Sequence, residues 1–270
     1  MRPLLTALLW CVATLATVVA IGAGWTAAHV QSESGFVRLV SAVGDDPEVQ
    51  AAAADVAGEA FADQTGLPIA WHDRIAARTR DAVLRFTASQ GWSEAWRETT
   101  RRTHQRLYAD QTPTDLRADV APLVGVAVGE LAADLPFDLG GPDELWVTVS
   151  EEDPGDLVGV TSQAGTVAVV AVGTALVAAL LTLVVSRRRS TTWAALGAGA
   201  LLAAGTWWVL GRVTLPRLVE DRAADTGADS DLQQVLVDRV VGSLDATLVW
   251  VAVAGAAMVA AGLVSRALRS

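Results

Sequence analysis

Four long stretches without a charged side chain interrupt the chain, at residues 4–28, 165–185, 192–211 and 246–264. Each meets or approaches the ~20 apolar residues that carry a helix across ~30 Å of hydrocarbon. The pattern predicts a mainly α membrane protein with four transmembrane helices. It divides the chain into an N-terminal span (1–28), a long polar segment (29–164), a second span (165–185) and a short turn (186–191). A third span (192–211), a polar loop (212–245), a fourth span (246–264) and a tail (265–270) follow. Of the polar parts, only 29–164 is long enough to bury a core of its own.

Within that segment the apolar positions recur at helical spacing. Asp46-Pro47 reads as an N-cap followed by proline at the first helical position, and Val49, Ala53, Val56 and Ala60 share the face that follows. Gly66 ends this helix and Pro68 opens the next, with Trp71, Ile75, Thr79, Ala82 and Phe86 as its stripe. Gly91 breaks the chain, and Ser93 is expected to cap a third helix presenting Trp92, Trp96, Thr100, Thr103 and Leu107. Asp119 and Pro122 start a fourth helix, aligned through Val120, Val124, Ala127, Leu131 and Leu135.

The period then changes to two over 144–150, where Leu145, Val147 and Val149 alternate with polar residues, predicting a strand. Its expected partner is 112–117, although Pro113 weakens that segment as a strand. Parallel pairing would make the fourth helix the crossover of a small two-strand, right-handed β-α-β element. Asp153-Pro154 restarts a helix that can run into the second span. Asp229-Ser230-Asp231 caps another that leads into the fourth. Both helices are expected to project above the bilayer and pack on the outer domain.

Composition agrees with the spans. The chain is 52% hydrophobic with a mean hydropathy of +0.38, too apolar for an ordinary soluble domain. Every basic residue is arginine, a bias that fits a GC-rich genome. Arg2, Arg187, Arg188, Arg189, Arg266 and Arg269 flank the spans on one side with no acid beside them, and all 30 acidic residues lie in the two polar segments. Excess arginine in short loops marks the cytoplasmic side. Both termini are therefore expected to be cytoplasmic, in a multi-pass plasma-membrane protein whose main α-rich domain is extracytoplasmic. Trp25, Trp193, Trp207, Trp208 and Trp250 fall near span ends, where indoles sit at headgroup level or pack between helices. The uncharged run of the first span exceeds the 7–15 residues of a signal-peptide core, which favours an uncleaved anchor. Thr26-Ala27-Ala28 is the alternative cleavage site. The sole cysteine, Cys11, reads as a packed, inert membrane thiol.

Candidate chemistry is sparse. There is no Gly-x-Ser-x-Gly elbow, and only three histidines occur. His29 follows the first span. His72 and His104 lie on consecutive helices and could meet with nearby acids as a metal or catalytic pair, yet neither helix carries a His-x-x-x-His spacing. Packing or hydrogen bonding is the simpler role for His104. Accordingly no catalytic, cofactor-binding or metal-ligating residue is assigned, and no cofactor. The clusters Glu151-Glu152-Asp153 with Asp156, and Asp225 with Asp229 and Asp231, lack the form of a calcium loop and precede helices, where acids favour the N-terminus. Arg97, Arg101, Arg102 and Arg106 stand among acids and read as a solvated face that touches headgroups or a partner. Charge argues against nucleic acid.

The spans contain no ionisable side chain in their interiors, which argues against a pump, an ion-coupled transporter or a voltage sensor. They carry rows of small residues instead: Ala171, Ala175 and Ala179; Ala195, Gly199 and Ala203; Ala252, Ala256 and Ala260. Such rows let backbones approach within a bundle or a homo-oligomer.

Asp45-Asp46-Pro47-Glu48-Val49-Gln50, the stretch from Trp96 through His104 to Leu107, Leu116 through Val128, and Leu232 through Leu244 together carry a resemblance. The chain resembles uncharacterised four-span integral membrane proteins of high-GC Gram-positive bacteria, with one N-terminal span, an extracytoplasmic domain and three C-terminal spans. Thr114-Asp115-Leu116 is less strand-like than the family pattern. The resemblance implies topology and brings no activity or catalytic residue. The expected function is a non-enzymatic cell-envelope protein that presents an interaction domain to a partner protein or envelope component. The alternatives are an envelope hydrolase or transferase using His72 and His104, and an accessory subunit of a transport complex.

Overall fold

A computed structural model describes residues 2–65, 68–89, 91–109, 115–132, 142–150, 155–186, 189–214, 217 and 230–268. The acidic clusters at 151–156 and 225–231, and the start of the expected strand at 112–117, lie largely outside the described residues. The chain divides into two compact units: Met1–Gln31 with Gln163–Ser270, and Ser32–Ser162.

The first unit holds four helices long and apolar enough to cross a membrane. They are α1 (Arg2–Thr26), α8 (Ala164–Val185), α9 (Arg189–Val209) and α10 (Ser230–Ala267). Helices α1 and α9 each end in a π-helical turn, Ala27–Gln31 and Leu210–Thr214. The N-terminal helix does not stand aside from the other three. It packs against both α8 and α9, and α10 packs on α9.

Indole hydrogen bonds lock this order. Trp10 Nε1 donates to the Ala195 carbonyl at 2.7 Å, and Trp207 Nε1 to the Val18 carbonyl at 2.8 Å. Trp25 Nε1 donates to Ser243 Oγ at 3.1 Å. An indole N–H left unpaired among apolar side chains is costly, so each bond fixes a helix rotation as well as a contact. Trp25 and Trp207 thus take the packing role, while Trp193, Trp208 and Trp250 face outward. Beyond Trp25, the Gln31 side chain accepts the amide of Gly165 at 3.0 Å and satisfies a free N–H at the start of α8.

Small residues set the α9–α10 approach, but not all of those the rows suggested. A Cβ on Gly197 would lie 2.5 Å from the Gly255 carbonyl oxygen, and one on Gly262 would lie 2.7 Å from the Ala194 amide. Gly255 and Gly262, two turns apart, therefore face α9. Ala256 and Ala260 are exposed on the outer side of α10. In the expected row on α9, Gly199 and Ala203 are buried as anticipated. Cys11 is exposed on the outside of the bundle and is not packed between helices.

The second unit is built from α2 (Glu33–Ser41), α3 (Pro47–Gln64), α4 (Ile69–Phe86), α5 (Gly91–Ala109), β1 (Leu116–Asp119), α6 (Ala121–Ala132), β2 (Trp146–Ser150) and α7 (Gly155–Ser162). Asp46 caps α3 as its sequence requires, its side chain accepting the Glu48 amide at 2.9 Å with Pro47 at the first position. Helix α5 starts at Gly91, not after Ser93, so Trp92 lies in its first turn and is buried. Trp92 donates to the Gly44 carbonyl at 2.7 Å. The Trp96 ring lies where a side chain on Gly44 would be, so only glycine fits there.

The core gathers Ala54 and Ala57 of α3, Ala82, Val83 and Phe86 of α4, Trp92 of α5, and Val120, Leu123, Val124 and Val128 at α6, with Leu145. Trp71, expected at the head of the α4 stripe, is instead 52% exposed, with the Arg74 guanidinium 5.2 Å from its ring centre. The buried part of the stripe begins below Trp71, with Ile75 half-buried and Thr79, Ala82 and Phe86 buried.

β1 shares only Leu116 and Arg117 with the expected partner segment 112–117, takes in Asp119, which was expected to start the fourth helix, and pairs with β2 in the opposite sense. β1 and β2 are antiparallel, with Arg117 opposite Thr148, Ala118 opposite Val147 and Asp119 opposite Trp146. The reason is local. Asp119 accepts the amides of Ala121, at the start of α6, and Leu145, at the start of β2, and the Val120 amide donates to the Leu145 carbonyl. The end of β1 and the beginning of β2 are therefore tied to one carboxylate, which excludes a parallel crossover.

The close α9–α10 contact makes a direct expectation. Gly197→Leu should cost about 1–3 kcal/mol through overpacking, read as an earlier midpoint when the full chain is unfolded by detergent. Ala256→Leu, on the outward face, should stay within about 0.5 kcal/mol. Equal effects from the two would contradict this packing.

Candidate binding cleft

Helix α5 brings Glu98, Arg101, Arg102, Gln105, Arg106 and Ala109 to one side, as positions three and four apart must lie. Across from them stand Arg117 and Asp119 of β1, and Asp143, Glu144 and Trp146 before and in β2. Together they line a cleft of about 780 Å³. Of the basic residues singled out in the sequence, Arg101, Arg102 and Arg106 reach it. Arg97 is exposed and does not line it.

Asp119 forms the floor. It is fully buried, and a buried carboxylate requires nearly complete pairing. Oδ1 accepts the Ala121 amide at 3.0 Å and the Leu145 amide at 2.9 Å, and Oδ2 accepts Arg102 Nη1 at 3.1 Å. The Asp119 amide donates to Thr103 Oγ1 at 3.3 Å. Arg102 also donates to the Asp143 carbonyl at 2.9 Å and to Glu98 Oε1 at 2.8 Å. This arginine therefore joins α5 to β1 and to the segment that enters β2.

Glu98 receives both Arg101 and Arg102. Hydrogen bonds from these two guanidiniums hold its pKa at about 2, well below the ordinary carboxylate range. Toward the mouth, Arg106 lies over the Trp146 ring at 5.9 Å from its centre, and Trp146 Nε1 donates to Glu144 Oε2 at 3.1 Å. Arg117 pairs with Asp115 at 2.7 Å. The cleft thus combines arginines, carboxylates and an indole, with its most buried charges already committed to structure. Asp119, Arg117 and Trp146 were not recognisable as a site from sequence. The helical spacing from Glu98 to Ala109 was the available signal, and it needed the facing strands to become a cleft.

His72 and His104 are not brought together. His72 Nε2 is 2.8 Å from Asp63 Oδ1, across the α3–α4 contact. The Asp63 hydrogen bond is the chief cause that raises the His72 pKa above its ordinary value of 6.5. His104 is buried on α5, its ring 5.0 Å from that of Phe36 on α2 and 4.7 Å from that of Tyr108. Because α4 packs on α3 and α6 while α5 packs on α2, β1 and α6, the histidines face different neighbours. Among the described residues no three His, Cys, Asp or Glu side chains group so as to hold a metal ion.

These geometries set three expectations. Asp119→Ala should destabilise the full chain by roughly 1–3 kcal/mol for each of the two buried amides it leaves without an acceptor. A tryptophan-fluorescence unfolding curve identical to that of the unchanged protein would contradict the pairing. The depressed Glu98 pKa means that its contribution to stability is present above the ordinary carboxylate value, 4.5, and is lost as pH falls toward about 2. Glu98→Gln should remove that part of the acid sensitivity. For His72 the sign is reversed: the Asp63 pairing adds stability below 6.5 and loses it as pH rises through the raised pKa. An NMR titration of the ring protons should show the His72 midpoint fall in Asp63→Asn.

No protein-family model matches the chain, and neither a curated protein nor a solved structure does, so the cleft is interpreted from its own geometry.

Proposed function

We propose that the protein is a non-enzymatic membrane-anchored binding protein of the cell envelope, which presents its α-rich unit on the extracytoplasmic side. The observation that carries the reading is the α5–β2 cleft. Its volume suits a ligand of several hundred Å³. Arg106 and Arg117 are exposed in the cleft beside Trp146, and an acidic ligand would share their charge with the partners they already hold. The ligand class that fits is an envelope glycan or peptide bearing an acidic group. Neither His72 nor His104 lines this cleft, so a hydrolase or transferase built on that pair draws nothing from it.

Topology follows from the charge partition. Arginine excess at the turn and the tail assigns both termini to the cytoplasm, and the acidic unit to the outside. The inclusion of α1 between α8 and α9 supports an uncleaved anchor. In a Cys11→Ser background, a cysteine placed at Ser93, on an exposed face of α5, should be labelled in intact cells by a membrane-impermeant maleimide. Labelling only after lysis would reverse the orientation.

Binding is tested with the full chain in nanodiscs and soluble acidic glycopeptides released from the envelope. Trp146→Ala and Arg106→Ala should each weaken retention about tenfold or more, while Arg97→Ala should leave it unchanged. Absence of retention by the unchanged protein, or equal loss in all three variants, would count against the cleft as the binding site.

A further inference from the structure

A second cavity, of about 670 Å³, opens at the arginine end of the four-helix bundle, where the beginnings of α1 and α9 meet the ends of α8 and α10. Its composition differs sharply from that of the α5–β2 cleft. Arg2 and Arg266 line it, and no acidic side chain does among the described residues. Thr191 also lines it, from the first turn of α9, where backbone amides lack intrahelical acceptors and the helix dipole is positive. The remaining wall is mostly hydrocarbon, including Pro3, Ala7 and Val185. Trp10 contributes its ring body, because its N–H is bound to the Ala195 carbonyl.

The hydroxyls narrow the ligand further. Thr6 donates to the Arg2 carbonyl at 3.0 Å, Thr182 to the Ala178 carbonyl at 2.7 Å, and Ser186 to the Leu183 carbonyl at 3.3 Å. Their hydrogens are committed to the backbone, so toward the cavity they present acceptor lone pairs. The cavity therefore offers cationic donors for an anion, oxygen acceptors for hydroxyl groups, and an apolar wall. A choline headgroup would bring a cation against two arginines and supply no hydroxyl hydrogen. A glycerol headgroup supplies the phosphodiester, the hydroxyls and the acyl chain together.

We infer that this cavity is a binding site for one anionic glycerophospholipid with a hydroxyl-bearing headgroup, of the phosphatidylglycerol type. The phosphodiester sits between Arg2 and Arg266, the headgroup hydroxyls donate to the Thr6 and Ser186 oxygens, and an acyl chain follows the wall beside Trp10. A basic pocket between helix ends on the arginine-rich side is a physically favourable place for such a lipid. The inference rests on the bundle spanning the bilayer with this end in the cytoplasmic leaflet. It does not depend on the α5–β2 cleft.

The test uses the full chain, delipidated in mild detergent and exposed to equal amounts of phosphatidylglycerol and phosphatidylcholine with identical acyl chains. Bound lipid is counted by native mass spectrometry. One phosphatidylglycerol should be retained with a preference of about tenfold or more. The preference should fall in Arg2→Gln, in Arg266→Gln and most in the double variant, and persist in Arg189→Gln, whose arginine is exposed at the same end but does not line the cavity. Equal retention of the two lipids, or an equal loss in Arg189→Gln, would overturn the site in favour of diffuse surface charge. Displacement of the lipid by millimolar inorganic phosphate would overturn it in favour of a free-anion site. Should the double variant fail to fold, the single variants and Thr6→Val, which removes an acceptor oxygen assigned to the headgroup, carry the same comparison. Carbonate extraction of cell membranes separates the two ways of failing: a chain that resists extraction yet shows no lipid preference refutes the lipid site alone, whereas a chain that is extracted refutes the membrane reading beneath it.

Discussion

A carboxylate with no access to water must find nearly all its partners inside the protein, and Asp119 organises the polar unit by meeting that demand. Two backbone amides and one guanidinium converge on it, from the start of α6, the start of β2 and the middle of α5. Each bond settles something beyond its own energy. The Ala121 amide fixes where α6 begins, and the Leu145 amide fixes where β2 begins. Their shared acceptor makes the strand pair antiparallel. Arg102 then draws α5 across the strands, and the space between them becomes the cleft. Its tightest ion pairs are part of the frame, and Arg106, Arg117 and Trp146 line the same cleft with partners of their own.

The helical bundle solves a different problem. Among the described residues its four apolar helices carry no buried charge pair to align them, so packing relies on close backbone approach and a few directional bonds. Gly197, Gly255 and Gly262 let α9 and α10 come together. The indoles of Trp10, Trp25 and Trp207 bind groups on neighbouring helices. At the far end Arg212 pairs with Asp245, joining the end of α9 to α10. Among the described residues, the cavity at the arginine end is lined by Arg2 and Arg266 and by no acid.

Much of this was legible in the chain. Long uncharged runs announce membrane-length helices because no other regular structure satisfies every backbone group within a single apolar segment. Asp46-Pro47 announces the start of α3 because the N-cap interaction is complete within three residues. Periodicity found much of the buried faces of α4 and α5 and, of the α6 stripe, Val120 and Val124, with Ala127, Leu131 and Leu135 outside the described side chains; alternation found β2. The local errors are instructive. Trp71 looked like core because its spacing was right, but spacing does not say which residues of a face a neighbouring helix covers. Ala256 and Ala260 looked like an interface because they are small, yet the choice between them and Gly255 with Gly262 depends on how α10 is rotated.

By itself the sequence determined which segments are helical, where most of them begin, and that the charges are segregated from four apolar spans, since those properties depend on residues a few positions apart. Only the tertiary structure decided the order of the bundle, the sense of the strand pair, the separation of His72 from His104 and the existence of both cavities. Those features arise from partners far apart in the chain: Trp10 with Ala195, Arg102 with Asp119, Arg2 with Arg266. Helical or strand periodicity records which face a residue occupies and carries no information about what will be packed against it.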